Sequence, residues 1–215
     1  MTSADRPGYL VMVTGTATAV GKTWVAAAAA SHARSQGIRV SARKPAQSYD
    51  VDRAGRPLEP TDADVLSAAT GEPATTICPP HRWYPLAMAP PMAADALRWP
   101  PITVAQLHTE LCWGPGTELG FVEAAGGVRS PLAHDGDGAT FAHRLQPDLT
   151  VLVGDAGLGT INVVRMSLEA LRPLEVVVLL NHFDPLSDLH LRNRRWLVER
   201  DGCRVAISPL GLLPD

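Results

Sequence analysis

The sequence predicts an α/β fold, a parallel sheet with helices on both faces. Three observations predict it. Short apolar runs alternate with longer helical stretches along most of the 215 residues. The runs are nearly continuous in Val and Leu, the pattern of strands buried on both faces. The first run, Tyr9 to Val13, leads through a glycine-containing loop ending in Gly21-Lys22-Thr23 into an Ala-rich helix. Strand, loop, Lys-Thr and helix in that order are the context of a phosphate-binding P-loop, so the sheet is expected to be P-loop NTPase-like. One domain over residues 1–215 is expected, long enough for a sizeable core.

The loop from Gly15 to Thr23 reads GTATAVGKT. The strict pattern puts its first Gly where Thr16 stands, so Gly15 comes one residue early. The chemistry of the rest is intact. A helix N-terminus leaves backbone N–H groups free and carries partial positive charge, which suits phosphate. Gly21 lets the backbone approach the phosphates, Lys22 reaches the β- and γ-phosphates, and the Thr23 hydroxyl is a Mg²⁺ ligand. Lys22 and Lys44 are the only lysines in the chain. Where Arg serves for general surface charge, two retained lysines suggest sites that need a compact point charge.

The remaining elements follow in order. The helix from Lys22 is closed by Gly37. Ile38 to Ala42 reads as a strand, with Lys44 at its carboxyl end, the edge where open α/β sheets bind ligands. Residues 49–60 form a long loop beside that edge. Thr61 or Asp62 caps a helix running to Ala69 and stopped by Gly71. Residues 72–101 are Pro-rich, which limits regular structure, apart from a helix from Met92 to Leu97. Thr103 to Leu111 is a further short helix. Leu119 to Val122 is a strand that ends in Glu123 and a Gly turn, where a P-loop enzyme holds Mg²⁺. Asp137 to Leu145 reads as a helix, Leu149 to Gly154 as a strand and Thr160 to Leu171 as an amphipathic helix. Glu175 to Leu180 is a strand ending in Asn181. Leu186 to Arg200 is a helix, and Cys203 to Ile207 the last strand.

Composition narrows the function. The formal net charge is −3, and the one dense basic run, Arg192 to Arg195, reads as a solvated helix face, so no nucleic-acid partner is expected. Three dispersed cysteines without a C-x-x-C fit a reducing compartment and no structural zinc. The N-terminal MTSADRPGY lacks the pattern of a secretory leader, and no apolar run approaches the length of a bilayer span. A cytoplasmic protein with no membrane partner is expected. His134, Asp135 and Asp137 invite a metal site, but their spacing fits none, and a solvated loop is expected. Trp83, Trp99, Trp113 and Trp196 are expected to pack, and the Met residues to fill core gaps.

Six stretches together resemble dethiobiotin synthetase: Gly15 to Thr23, Lys44-Pro-Ala-Gln-Ser48, Tyr84 to Ala94, Val122 to Gly127, Leu158-Gly-Thr-Ile-Asn162 and Leu180-Asn181. The early first glycine is that family's own form of the loop. The resemblance implies ATP- and Mg²⁺-dependent carboxylation of 7,8-diaminononanoate with CO₂. A phosphorylated carbamate follows, and ring closure gives the cyclic urea dethiobiotin. By position it implies that Lys22 and Lys44 bind γ-phosphate and carbamate, and that Thr18 and Ser48 lie against substrate. Thr23, Asp62 and Glu123 would hold the metal, with Asp64 as the alternative to Asp62. Gly15, Thr16, Val20, Gly21, Lys22 and Thr23 would hold the nucleotide. Asn181 would read the base, closed in by Pro209, Leu210 and Gly211. Ser48, Glu123 and Gly126 would face the substrate, and Gly159, Thr160, Ile161 and Asn162 of a partner subunit would catch its carboxylate, implying a homodimer. Ala17 and Ala19 stand where many members carry acidic residues, and Ala124 where Gly is frequent.

Two alternatives stay open. One is a related amide-forming or partition-type P-loop ATPase, although the early loop Lys of partition ATPases is missing from Thr16 to Ala19. The other is a non-catalytic nucleotide-binding regulatory dimer, which fold alone does not exclude.

Overall fold

A computed structural model describes residues 6–212 of the chain. Residues 1–5, which begin the stretch read above for a leader, lie outside the described residues.

The elements in chain order are β1 (Tyr9–Gly15), α1 (Lys22–Ser35), β2 (Val40–Arg43), β3 (Gln47–Ser48), α2 (Asp62–Thr70), α3 (Ala74–Ile77), β4 (Trp83–Tyr84), α4 (Pro90–Leu97) and α5 (Val104–Thr109). There follow β5 (Leu119–Glu123), β6 (Pro131–Ala133), β7 (Gly136–Asp137), α6 (Gly138–Leu145), β8 (Leu149–Asp155), α7 (Thr160–Leu171), β9 (Val176–Asn181), α8 (Asp188–Glu199) and β10 (Val205–Ala206). Short 3₁₀ turns span Pro80–Arg82 and Pro209–Leu212.

Six strands form the main sheet in the order β10-β9-β8-β1-β5-β2, and every pairing is parallel. Successive side chains of a strand point to opposite faces, so each strand feeds two cores. Leu10, Met12, Val122, Leu152, Val178 and Leu180 pack into the core shared with α4 to α8. Val11, Val13, Phe121, Val151, Val153 and Leu179 pack into the other, against the small-residue face of α1 (Val25, Ala26, Ala29, Ala30, Ala33) and Leu66 of α2. The run of alanines in α1 lets that helix lie close to the sheet.

The strand ends depart from expectation for local reasons. The second strand begins at Val40, because Ile38 belongs to the close of α1. Gly37 takes φ +84°, and the N–H groups of Gly37 and Ile38 donate to the Arg34 and Ala33 carbonyls, the hydrogen-bond return of a glycine-capped helix. The last strand is only Val205–Ala206, since the Cys203 N–H caps the Leu197 carbonyl of α8 and Pro209 starts a turn. The eighth helix begins at Asp188, with Ser187 accepting from the His190 N–H. Within the Pro-rich segment, α4 starts at Pro90, earlier than expected, because Pro90 and Pro91 occupy first-turn positions where no N–H is needed.

The His134 cluster is structural. Asp137 caps α6 by accepting from the Thr140 N–H, Asp135 accepts from the Val104 N–H at the start of α5, and His134 Nδ1 meets the Ile102 N–H. Two packing expectations fail. Trp99 and Trp196 are 38% and 46% exposed, and of the methionines Met12 is buried while Met88, Met92 and Met166 are exposed.

Candidate active site

The P-loop hangs between β1 and α1 at the carboxyl edge of the sheet. Thr16 N–H donates to the Val153 carbonyl, and Val128 N–H to the Gly15 carbonyl, so the loop is held by both neighbouring strand connections. Its tip is pinned from below. The Asn181 Nδ2 donates to the Val20 carbonyl at 2.9 Å. Gly21 sits at φ +89°, and a Cβ there would lie 2.2 Å from that same nitrogen. Only glycine suits the position, for backbone and for space. With Nδ2 committed to the loop, the amide has its Oδ1 to offer as an acceptor.

Two strand ends and the first turns of α1 and α2 bring the polar groups together. Lys44 follows β2, Glu123 ends β5, Thr23 stands in the first turn of α1, and Asp62 opens α2. Thr23 Oγ1 lies 2.8 Å from Asp62 Oδ1 and 2.8 Å from Glu123 Oε1. Lys44 Nζ lies 2.6 Å from Asp62 Oδ2 and 2.9 Å from Glu123 Oε1. Lys44 and Glu123 are each 1% exposed. Asp64 is elsewhere. Its carboxylate accepts from the backbone and hydroxyl of Thr61 in a reciprocal cap, so geometry places Asp62, not Asp64, beside Thr23.

The charges do not cancel. Burial opposes the Lys44 cation, but the Glu123 and Asp62 carboxylates outweigh it and hold the ammonium above the usual lysine range. Burial also opposes the Asp62 anion, yet Lys44 and the Thr23 hydroxyl bring its carboxyl below the usual range. Glu123 goes the other way. Full burial and the neighbouring Asp62 carboxylate raise its carboxyl despite Lys44 and the Thr23 hydroxyl. Lys22, whose Nζ donates to the Ala17 carbonyl at 3.2 Å, is lowered by burial and by the neighbouring Lys44 charge.

These residues fit a divalent metal. Glu123 Oε2 is buried with no hydrogen-bond partner among the described residues. One Thr23 hydrogen cannot serve both carboxylates it touches. The donors are all oxygen, the preference of Mg²⁺, which binds through one or two carboxylates together with substrate phosphates. No group of three or more His, Cys, Asp or Glu suited to a metal occurs among the described residues.

The cleft over these groups has a volume of about 440 Å³. Thr18, Gly21, Lys22, Thr23, Lys44, Ser48, Asp62, Glu123 and Gly126 line it, all expected from the sequence. Ser48 Oγ donates to the Met88 carbonyl at 2.6 Å, tying β3 to the loop before α4. Gln47 and Ser130 also line the cleft, and sequence reasoning missed them as site residues. Gln47 lay inside a quoted stretch beside Ser48; nothing marked Ser130. Gly15, Thr16 and Val20 frame the loop from behind. Asn181, Pro209 to Gly211 and Gly159 to Asn162 stand outside the cleft lining of this single chain. The Pro209 turn packs on α1, and Gly159 to Asn162 open α7, where Gly159 supplies no side-chain cap.

Comparison with known proteins identifies the family of the chain. A family model described as an AAA domain matches residues 10–194. The ATP-dependent dethiobiotin synthetase BioD of Haloferax mediterranei is 36% identical over 200 residues, covering 92% of this chain and 82% of the relative. The protein of the same name from Anaeromyxobacter dehalogenans strain 2CP-C is 38% identical, covering 95% of this chain and 89% of the relative. Among solved structures, the cell division protein FtsY of Thermotoga maritima superposes with a TM-score of 0.52 at 15% identity, covering 98% of this chain and 66% of that one; that likeness concerns the fold alone. No helix among the described residues is long and apolar enough to cross a membrane. By its sequence relatives and its P-loop architecture, the chain belongs to the dethiobiotin synthetase family.

Proposed function

We propose that the chain is an ATP-dependent dethiobiotin synthetase, one domain that converts 7,8-diaminononanoate, CO₂ and ATP to dethiobiotin, ADP and phosphate. The observation that carries the reading is the convergence of Lys22, Lys44, Thr23, Asp62 and Glu123 on one cleft under a P-loop, in a chain of this family.

The chemistry follows from the positions. The free N–H groups at the start of α1, with Lys22, cradle the triphosphate. A carbamate formed on one substrate amine lies toward Lys44, the buried cation beneath the cleft. Its oxygen attacks the γ-phosphorus and ADP leaves. The second amine then attacks the carbamate carbon, phosphate leaves, and the ring closes with loss of the amine protons. Thr23, Asp62 and Glu123 would hold Mg²⁺. When bound, Mg²⁺ supplies positive charge against the phosphate oxygens. Most of the rate enhancement then comes from alignment and charge neutralisation. Thr18, Ser48 and Gly126 border the substrate, and Asn181 with the Pro209 turn takes the base.

A homodimer completes the reading. At the α7 entry the Thr160 and Asn162 N–H groups donate to the Gly157 and Gly159 carbonyls, which leaves those of Gly159 and Ile161 for a carboxylate, and Leu158 and Met166 beside them are 92% and 63% exposed. Three free cysteines support a reducing, cytoplasmic setting.

Phosphate release with Mg-ATP, bicarbonate and 7,8-diaminononanoate tests the proposal, with the product weighed by mass spectrometry. Release that requires both diamine and CO₂, and a product heavier by one carbonyl less two hydrogens, is expected. Nucleotide binding without such release would overturn the reading in favour of a regulatory nucleotide binder.

A further inference from the structure

Gln47 is a polar residue sealed into the wall of the cleft. It is 2% exposed. Its Oε1 accepts from the Ala63 N–H at 3.0 Å, in the first turn of α2 next to Asp62. That contact fixes the orientation of the amide, because the reversed amide would turn its NH₂ onto a backbone N–H. The Nε2 is then left buried with no acceptor among the described residues. A buried donor without a partner is costly, and native proteins keep few of them.

Its location says what completes it. Gln47 lines the cleft that holds Lys22, Lys44, Asp62 and Glu123, and it also lines an adjoining cavity of about 510 Å³ bordered by Tyr49, Leu58 and Pro60. The triphosphate belongs over Gly21 to Thr23, at the start of α1. The junction of the two cavities is where a diamine carboxylated on one nitrogen would place its new oxygens. The other buried polar side chains that line the two cavities are the ions Lys22, Lys44 and Glu123 and the Thr61 hydroxyl, which is engaged with Asp64; among the described residues there, Gln47 offers the neutral N–H without an acceptor.

We infer that Gln47 is a substrate-positioning residue whose Nε2 donates to an oxygen of the carbamate, holding the carboxylated amine at the junction of the two cavities. The inference rests on the synthetase reading above. A neutral donor suits this place. It orients the carbamate without adding to the cationic charge that Lys44 already supplies, and it leaves the nucleophilic carbamate oxygen free for phosphorus.

Two variants separate this role from a structural one. Gln47→Met removes both ends of the amide. Gln47→Glu keeps an acceptor for the Ala63 N–H and removes the donor. Steady-state turnover of the full chain, Mg-ATP affinity by calorimetry and thermal unfolding are measured for each. Both variants are expected to raise the KM for the diamine about tenfold, the worth of one buried hydrogen bond. Mg-ATP affinity of Gln47→Met should stay within about twofold of wild type, since the triphosphate cradle is untouched. An unchanged diamine KM in either variant would overturn the inference. So would a loss of Mg-ATP affinity in Gln47→Met as large as its rise in KM, which would assign the amide to aligning Asp62. Diamine-independent behaviour of the wild type, run in parallel, would instead remove the synthetase reading and this inference with it.

Discussion

Removing the Lys44 ammonium would leave Asp62 and Glu123 facing one another across the Thr23 hydroxyl, with one hydrogen between them. Breaking a buried ion pair by deleting one partner costs about 3–5 kcal/mol, because the remaining charge loses its compensation. Lys44→Met is therefore expected to lower the thermal midpoint of the ligand-free protein markedly. Mg²⁺ should restore part of the loss, since a divalent cation would answer the same two carboxylates. Turnover should fall far more than Mg-ATP affinity, because Lys44 is assigned to the carbamate. Thermal unfolding with and without Mg²⁺ is the check; a variant of wild-type stability, indifferent to Mg²⁺, would refute the charge account of the cleft. At this scale much was legible. Lys22 and Thr23 are marked by the loop, and Lys44 and Glu123 by their places after apolar runs. The choice of Asp62 over Asp64 was not settled by counting along the chain. It turns on Thr61, whose backbone and hydroxyl claim the Asp64 carboxylate. The free nitrogen of Gln47 was illegible because it depends on where Ala63 sits in space.

The Pro-rich stretch between Glu72 and Pro101 shows what an element-level reading loses. Prolines made regular structure there look sparse, yet Gln47-Ser48 pairs in parallel with Trp83-Tyr84, and Ala74–Ile77 forms a short helix. A two-residue parallel pairing has no local periodicity, so it leaves no trace in the sequence. What fixes this layer is in part a charged clasp. Arg82, in the turn before β4, holds Glu110 at the end of α5 with Nε at 2.8 Å and Nη2 at 2.6 Å. Burial opposes the Glu110 anion, but the Arg82 fork and His81 bring its carboxyl below the usual range. A carboxyl lowered in the folded state gives stability that is fully present above the ordinary glutamate value and is lost as pH falls through the folded one. Glu110→Gln should thus be less stable than wild type near neutral pH, by about 1 kcal/mol for a pair partly screened by solvent. The gap should close as pH drops below the carboxylate range. Denaturant unfolding at a series of pH values measures it, and a gap that stays constant down to the lowest pH would contradict the ionic origin of the clasp.

For the molecule as a whole, the class of fold was legible because buried parallel strands write themselves as apolar runs, and the P-loop fixes which edge matters. Strand order was not, because nothing local in Leu119 to Glu123 says that this strand enters between β1 and β2. Gly159 to Asn162 stand outside the lining of the cleft in the single chain, and Leu158 and Met166 beside them are exposed. If a partner's α7 entry catches the substrate carboxylate, each cleft is built from two chains, and a two-fold dimer has two such shared clefts. Mixing two inactive variants then tests the arrangement. Lys22→Ala disables its own cleft and keeps a sound α7 entry. Asn162→Asp keeps the cleft and sets a negative charge at the helix start, where it repels a carboxylate. Asn162 is exposed in the single chain, so the change should leave folding intact. In a mixed dimer one cleft pairs a sound P-loop with a sound α7 entry, and the other combines both defects. Equal mixing and exchange should recover about a quarter of wild-type turnover, because half of the dimers are mixed and each holds one working site of two. Recovery that rises as the variants exchange chains would place the carboxylate contact across the interface; activity equal to the average of the separate variants would confine every step to one chain.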